Sequence, residues 1–312
     1  MRKYYKIAFC GLGSIGKRHL RNTVKYLKEN GYHYQIDAIR SDLGHALESD
    51  VEMHISKQYD YNDCIPEDYD IIFVTNPTSM HRDTINKYKK CTRSMFIEKP
   101  IVDTDLSAFE DMPNELICYV ACPLRYTKVL QYIKKNIDCE KAYSVRALCS
   151  TYLPNWHPND DYRKLYSAHR SMGGGVSIDL IHEWDYLVWL FGKPNKITSI
   201  CEKVSELEID SDDIAVYIGQ SDSRIYELHL DYFGKVETRE LEIHFPKQRI
   251  QVDIRNGIIR FSDEQKELSL QEERDGYQLR EIAHFFEIIE GRCENDNTIE
   301  NAMEMLKIAM MK

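Results

Sequence analysis

Long apolar runs are missing from this chain. Nothing in it approaches the ~18 uninterrupted apolar residues of a membrane-spanning helix, so no membrane span is expected. An excess of basic charge is missing as well. Forty-one Lys and Arg face 51 Asp and Glu, a formal charge of −10 at pH 7, which is unsuited to holding nucleic acid through bulk electrostatics. Glycine and proline are sparse, 14 and 9 in 312 residues, while 43% of the residues are hydrophobic and 29% charged; that balance excludes a collagen-like, low-complexity or disordered chain. The start, Met1-Arg2-Lys3-Tyr4-Tyr5-Lys6, lacks the apolar core and small-residue cleavage site of a secretory signal, and a cytoplasmic location is the expectation. Nine cysteines, an odd number, are scattered from Cys10 to Cys293, and the closest pair, Cys118 and Cys122, has no second pair at metal-ligand spacing. Neither a disulfide framework nor a metal site is expected. Several cysteines sit in apolar runs and read as buried reduced thiols.

What is present is a regular alternation. Lys6–Cys10, Ile36–Arg40, Ile71–Thr75, Ser94–Glu98 and Leu116–Val120 read as buried strands, each of the first three followed by helix-compatible sequence such as Ile15–Glu29. Strand and helix in turn predict a parallel sheet covered on both faces. After about residue 122 the pattern changes. A short amphipathic helix over Val129–Ile137 and a strand over Lys141–Thr151 precede a polar, aromatic-rich loop (152–171) and one long helix over Val176–Phe191. Six or so strand-like runs fill Lys196–Ser262, and two helices close the chain. Neighbouring strands at that spacing most often pair antiparallel. The fold class expected is therefore α/β, with an N-terminal doubly wound Rossmann domain over 1–122 and a C-terminal α+β domain over 123–312 carrying a large, mostly antiparallel sheet. At roughly 100–200 residues per domain, two domains suit the length. No repeat or low-complexity linker separates them.

The strongest local signal is Gly11-Leu12-Gly13-Ser14-Ile15-Gly16, directly after the first strand and opening the first helix. The first glycine permits a tight turn, the second lets backbone approach a pyrophosphate, and the third lets helix and strand pack closely. The helix start adds unbonded N–H groups and the positive end of its dipole. A dinucleotide site follows. An acidic residue at the end of the second strand would favour NAD. This chain has Arg40-Ser41 there, with Asp37 inside the strand and Asp42 beyond it. A guanidinium suits a 2′-phosphate, so NADP is expected ahead of NAD. Asn76, Pro77 and His81 follow the Ile71 strand and are candidates for the cofactor cleft, His81 being equally suited to a helix's first turn.

Two further clusters carry chemistry. Glu98-Lys99-Pro100 ends the Ser94–Glu98 run, placing Lys99 at a carboxyl strand end, where open α/β sheets bind ligands. A lysine there can act as donor and electrostatic stabiliser. Gly173-Gly174-Gly175 leads into the long helix, on which Asp179, His182, Glu183 and Tyr186 at i, i+3, i+4 and i+7 form a polar stripe in an apolar surround. A histidine one turn from a carboxylate suits proton transfer. Arg125, Tyr126, Arg163 and Tyr166 are candidate substrate contacts, with a solvated loop the even alternative.

GLGSIG, TNPTSMH, EKP and GGGVSIDLIHEWD, in that order, resemble the glucose–fructose oxidoreductase, inositol dehydrogenase and MocA family, over essentially the whole chain. The resemblance implies a nicotinamide-dependent oxidoreductase acting on sugars, cyclitols or sugar derivatives. It implies a place for Lys99 beside nicotinamide and substrate, a proton-transfer role for His182, and Asp179 nearby. One departure is that the commoner family spacing is Asp-x-x-x-His, whereas here it is Asp179-x-x-His182, which rotates the histidine relative to the carboxylate. Wording around the glycine run also resembles members associated with bacterial surface-sugar biosynthesis. A homodimer or homotetramer is implied by family habit. The activity read from all this is hydride transfer between nicotinamide and a secondary hydroxyl or ketone of a sugar or nucleotide sugar. The rival readings are an NAD-dependent glycoside hydrolase and a catalytically silent dinucleotide-binding regulator.

Overall fold

The computed structural model describes residues 4–103, 105–263 and 265–311; Met1–Lys3, part of the signal-peptide reading, lie outside them. The chain forms two compact units, the first running to Ala121 and taking in Gln278–Met303, the second holding Cys122–Tyr277 and the residues from Glu304. The single division expected at 122 thus becomes a discontinuous first unit. The physical reason is aromatic. Phe285 packs on Phe96 and Tyr119 with ring centroids 5.4 and 5.8 Å away, and Phe286 on Tyr26 and Tyr5 at 4.6 and 5.2 Å.

In the first unit, β1 (Tyr4–Cys10), β2 (His33–Arg40), β3 (Ile55–Asp60), β4 (Tyr69–Val74), β5 (Thr92–Ile97) and β6 (Ile117–Val120) make one sheet in the order β3-β2-β1-β4-β5-β6. All five pairings are parallel. β1 and β4 are apolar on both faces, as a sheet covered on two sides requires. Helix α1 (Ser14–Glu29) buries Gly16, His19, Leu20, Thr23, Val24 and Leu27, one stripe at 3.6 periodicity. A four-residue helix, α2 (Ser49–Glu52), and α3 (His81–Tyr88) follow. Strand β3 was not read from the sequence: Ile-Ser-Lys-Gln-Tyr-Asp is half exposed, with no fully buried residue, and mostly polar, and its pairing to β2 holds it in the sheet.

The register sets up the site. Cys10 pairs with Ile39 and with Val74, Val74 pairs with Ile97, and Ile97 with Val120. Five strands therefore end in one row. One residue further on, the ladder still holds: the amides of Gly11, Thr75, Glu98 and Ala121 donate to the carbonyls of Ile39, Cys10, Val74 and Ile97 over 2.8–3.0 Å.

The second unit holds helix α4 (Lys128–Asn136), strand β7 (Ser144–Tyr152), helices α5 (Val176–Asp179) and α6 (His182–Phe191), and strands β8 (Lys196–Glu202), β9 (Ile214–Gln220), β10 (Ile225–Asp231), β11 (Phe233–His244), β12 (Arg249–Asp253), β13 (Ile258–Phe261) and β14 (Lys266–Ser269). Eight strands pair in the order β14-β13-β12-β11-β7-β10-β9-β8. Every pairing is antiparallel except β7 with β10. Alternation decides the faces: Val145, Ala147 and Cys149 of β7 and Tyr226, Leu228 and Leu230 of β10 are buried, while Arg146 and Glu227 pair on the exposed side at 2.9 Å. Helix α7 (Arg274–Ile289) and helix α8 (Ile299–Ala309) end the chain. Among the described residues, no helix is long and apolar enough to cross a membrane. Cys10, Cys118, Cys122, Cys139, Cys149 and Cys201 are buried.

Candidate active site

At the carboxyl edge of the parallel sheet, the glycine loop leaves β1 and enters α1. Gly11 takes φ +92, and a side chain on it would come within 2.6 Å of the Asn76 backbone. A Cβ on Gly16 would stand 2.3 Å from the Gly11 carbonyl oxygen, so here glycine is a demand of the fold. Gly13 is different. It caps α1 with φ −69, a conformation open to any residue, and a Cβ there would meet nothing within 4 Å. No protein atom among the described residues explains its glycine, which leaves the backbone here open to the close approach of a ligand. No side chain caps α1, so the amides from Gly13 to Gly16 sit at a helix start that offers them no intrahelical acceptor. The chemistry of this donor set fits a pyrophosphate.

The neighbouring strand ends complete the edge. Thr75 Oγ1 donates to the Gly11 carbonyl over 2.6 Å and locks the loop to β4. Asn76 gives Nδ2 to Thr84 at 2.7 Å, while its Oδ1 is buried with no hydrogen-bond partner among the described residues. His81, the first residue of α3, is buried. Its two ring nitrogens face the carbonyls of Asn76 and Pro100, each at 3.0 Å, which ties the β4 and β5 loops together. Burial pushes its pKa below the ordinary histidine value, against those carbonyls and Glu98, which pull upward. Pro77 begins the turn between Asn76 and that helix. Arg40 is the last residue of β2 and Ser41 follows, exposed. Arg40 donates to Gln58 Oε1 at 2.7 Å and to the His45 carbonyl at 2.6 Å. Asp37 lies within β2, fully buried, and accepts from the Tyr69 hydroxyl at 2.7 Å. It is thus withdrawn from the strand end.

Glu98 follows β5, and its Oε1 lies 2.5 Å from Nε2 of the buried His19 on α1. Its Oε2 accepts the Lys99 amide at 3.1 Å. Burial alone would raise the Glu98 pKa. The His19 hydrogen bond and charge, helped by Lys99 and His81, outweigh it and hold the carboxyl below the usual glutamate range. His19 escaped the sequence reading. The signal available was a histidine on the buried stripe of α1, three residues after the last glycine of the loop. The Lys99–Pro100 peptide is cis.

In the second unit the expected long helix is broken. Leu180 and Ile181 form a turn between α5 and α6, so Asp179 and His182 do not share one continuous helical face and the i to i+7 stripe is lost at its first step. Tertiary partners explain the break. Asp179 accepts from the buried Tyr232 hydroxyl at 2.5 Å, and Glu183, fully buried, takes Arg239 of β11 at 2.9 Å. Tyr186 is buried; His182 is partly exposed at the start of α6. The glycine run seats these helices, since a Cβ on Gly174 would fall 2.1 Å from the Tyr166 carbonyl oxygen. Arg125, a candidate substrate contact, is buried and makes a forked pair with Asp185 at 2.6 and 2.8 Å, which occupies its guanidinium inside the unit. Tyr126 beside it is buried too. Arg163 is exposed and pairs with Asp161 at 2.8 Å and Glu208 at 3.1 Å, the solvated-loop alternative; Tyr166 is exposed.

Residues 5–115 match the family model described as oxidoreductase family, NAD-binding Rossmann fold. That model is the one for the glucose–fructose oxidoreductase, inositol dehydrogenase and MocA family, and its match spans the parallel-sheet part of the chain. The matched segment is similar to the NAD-binding Rossmann part of those oxidoreductases. The chain is 21% identical over 296 residues to the uncharacterized oxidoreductase YrbE of Bacillus subtilis (strain 168), covering 92% of this chain and 82% of that one. Among solved structures, levoglucosan dehydrogenase in complex with NADH and levoglucosan superposes with a TM-score of 0.84 at 14% identity, over 98% of this chain and 95% of that one. UDP-N-acetylglucosamine 3-dehydrogenase GnnA from Acidithiobacillus ferrooxidans gives 0.77 at 16%, over 98% and 96%. The WlbA dehydrogenase from Bordetella pertussis, in complex with NADH and UDP-GlcNAcA, gives 0.75 at 14%, over 97% and 93%. At these identities the likeness is one of fold.

Proposed function

We propose that the chain is a sugar dehydrogenase or reductase acting on a secondary hydroxyl or ketone of a free or nucleotide-linked sugar. The observation that carries this reading is the shared row of strand ends, which brings the glycine loop of β1 and Lys99 after β5 to one edge of one sheet, two strand spacings or about 10 Å apart. Neighbours of the same fold whose names specify levoglucosan and UDP-linked sugars support the substrate class. Gly13 to Gly16 would hold the pyrophosphate. The nicotinamide, when bound, supplies or accepts a hydride. Lys99 is assigned the substrate oxygen, where its ammonium would stabilise developing negative charge. His182 is assigned the hydroxyl proton, taken in oxidation and returned in reduction, and Asp179, held by Tyr232, would position or assist. The test is nicotinamide absorbance with a panel of free and nucleotide-linked sugars and their keto forms. Lys99→Ala and His182→Ala are each expected to lower kcat by roughly 100-fold or more. Wild-type turnover in both variants would sink the assignment.

For the cofactor, NADP is proposed ahead of NAD. Arg40 stands at the end of β2, and the one acidic side chain within that strand, Asp37, is buried and engaged by Tyr69. Fluorescence titration is expected to give tighter binding of NADPH than NADH, with Arg40→Ala weakening NADPH about 10-fold and leaving NADH nearly unchanged. Tighter NADH binding in the unaltered chain would reverse the preference.

A further inference from the structure

In the first unit, the end of α7 and the turn after it gather side chains that the dinucleotide edge does not use. His284 and Glu287 stand three residues apart and leave one face of α7. The chain leaves the helix at Ile289, turns through Gly291 at φ +69, and returns Cys293 over that face. Nδ1 of His284 lies 3.8 Å from Cys293 Sγ and 3.9 Å from Glu287 Oε2, and the ligand atoms of the three residues all fall within 4.8 Å of one another. On the other side of the ring, Nε2 lies 3.1 Å from Asp296 Oδ1. That carboxylate favours the tautomer with its proton on Nε2, which turns the Nδ1 lone pair towards the thiol and Glu287. A carboxylate behind the imidazole is how proteins commonly orient a metal-ligating histidine.

We propose that His284, Glu287 and Cys293 bind a borderline-soft divalent cation, zinc foremost, with Asp296 positioning the imidazole. Imidazole nitrogen, thiolate and carboxylate are the donors zinc takes, with water in a fourth position. Tetrahedral coordination at zinc's usual bond lengths separates such donors by about 3.3–3.6 Å. The two histidine separations therefore need to shorten by about half an ångström, and the thiol–carboxylate separation, which is within 4.8 Å, by about an ångström at most. Burial, with Glu287 and Asp296, pushes the Cys293 thiol pKa up; the same two carboxylates that disfavour a lone thiolate favour a cation beside it, and binding releases the thiol proton to solvent. The turn that carries Cys293 continues into Asn295 and Asn297, whose side-chain amides donate to the Cys118 and Val120 carbonyls of β6 at 2.7 and 2.8 Å. A bound cation would therefore staple α7 to the segment that closes the outer strand of the parallel sheet.

The experiment titrates reduced, metal-free, tag-free protein with cobalt(II), followed by displacement with zinc. Expected are one equivalent of cobalt, a near-ultraviolet thiolate-to-cobalt charge-transfer band, loss of that band on adding zinc, and a rise in Tm with zinc. Cys293→Ser, close in shape to the native residue and checked for folding by circular dichroism, removes the band, as does His284→Ala. Asp296→Asn weakens binding about 10-fold. Cys64→Ser, which alters an exposed thiol elsewhere, leaves the spectrum intact. No charge-transfer band in the unaltered protein would mean that His284, Glu287 and Cys293 only hydrogen-bond one another, and would overturn the proposal. A band that survives Cys293→Ser would overturn it too.

Discussion

Two glycines three residues apart, Gly13 and Gly16, separate what the fold needs from what a ligand needs. Alanine at 16 forces a methyl to 2.3 Å from the Gly11 carbonyl oxygen, and backbone cannot swing aside as a side chain can. Gly16→Ala is expected to cost about 1–3 kcal/mol of stability, read as a lowered Tm. Alanine at 13 meets nothing within 4 Å and needs no unusual φ. Gly13→Ala is therefore expected to keep its Tm while binding the reduced dinucleotide about 10-fold more weakly. Unimpaired binding in that variant would remove the pyrophosphate from the loop. Both glycines were legible as a motif, because strand, turn and helix follow in the order a dinucleotide loop needs. Which of them serves the protein and which the ligand was not legible, since that depends on how the folded loop sets Gly16 against the Gly11 carbonyl and Thr75, the latter more than fifty residues away, and leaves Gly13 open.

Elements near the site are joined by buried ionisable groups whose charge states have a working range. His81 links the β4 and β5 loops, and burial lowers its pKa below 6.5. The folded state thus prefers the neutral ring, and its contribution is complete above 6.5 and lost as pH falls through the lowered folded value. Glu98 is held below 4.5, with burial opposed by His19, Lys99 and His81; its contribution is present above 4.5 and lost as pH falls through its own depressed value. Thermal stability is expected to decline in two stages on acidification. His81→Gln should flatten the upper stage and Glu98→Gln the lower, as melts across the acid range would read; slopes unchanged in both variants would count against the linkage. Periodicity correctly placed the strands β4 and β5 that lead to these groups. It failed between α5 and α6, where an apolar stretch compatible with one continuous helix is turned at Leu180 and Ile181. The partners on either side of that turn, Tyr232 for Asp179 and Arg239 for Glu183, lie some fifty residues downstream.

The first unit draws its core from both ends of the molecule. Phe73 and Phe96 of the sheet meet Phe285 of α7, and Tyr5 and Tyr26 meet Phe286. The continuous segment 1–121 therefore lacks part of its own hydrophobic core. A fragment ending at 121 is expected to show no cooperative thermal transition by circular dichroism. The same fragment joined by a flexible linker to 278–303 is expected to regain one. A cooperative melt of the short fragment alone would show that the returning helix is dispensable.

The amino-acid order alone determined the class of both sheets, the position of the glycine loop and the strand end that bears Lys99, because each depends on neighbours within a few residues: alternation of period 2, stripes of period 3.6, a turn that only glycine tolerates. Tertiary structure decided the rest. Asp37 withdrawn against Tyr69, Arg125 engaged with Asp185, His19 set on Glu98, and His284 brought to Cys293 are pairings of groups distant in sequence or placed by a turn. A charged or hydrogen-bonding side chain takes its protonation and its role from whatever atom stands within about 3 Å of it, and only the folded chain chooses that atom.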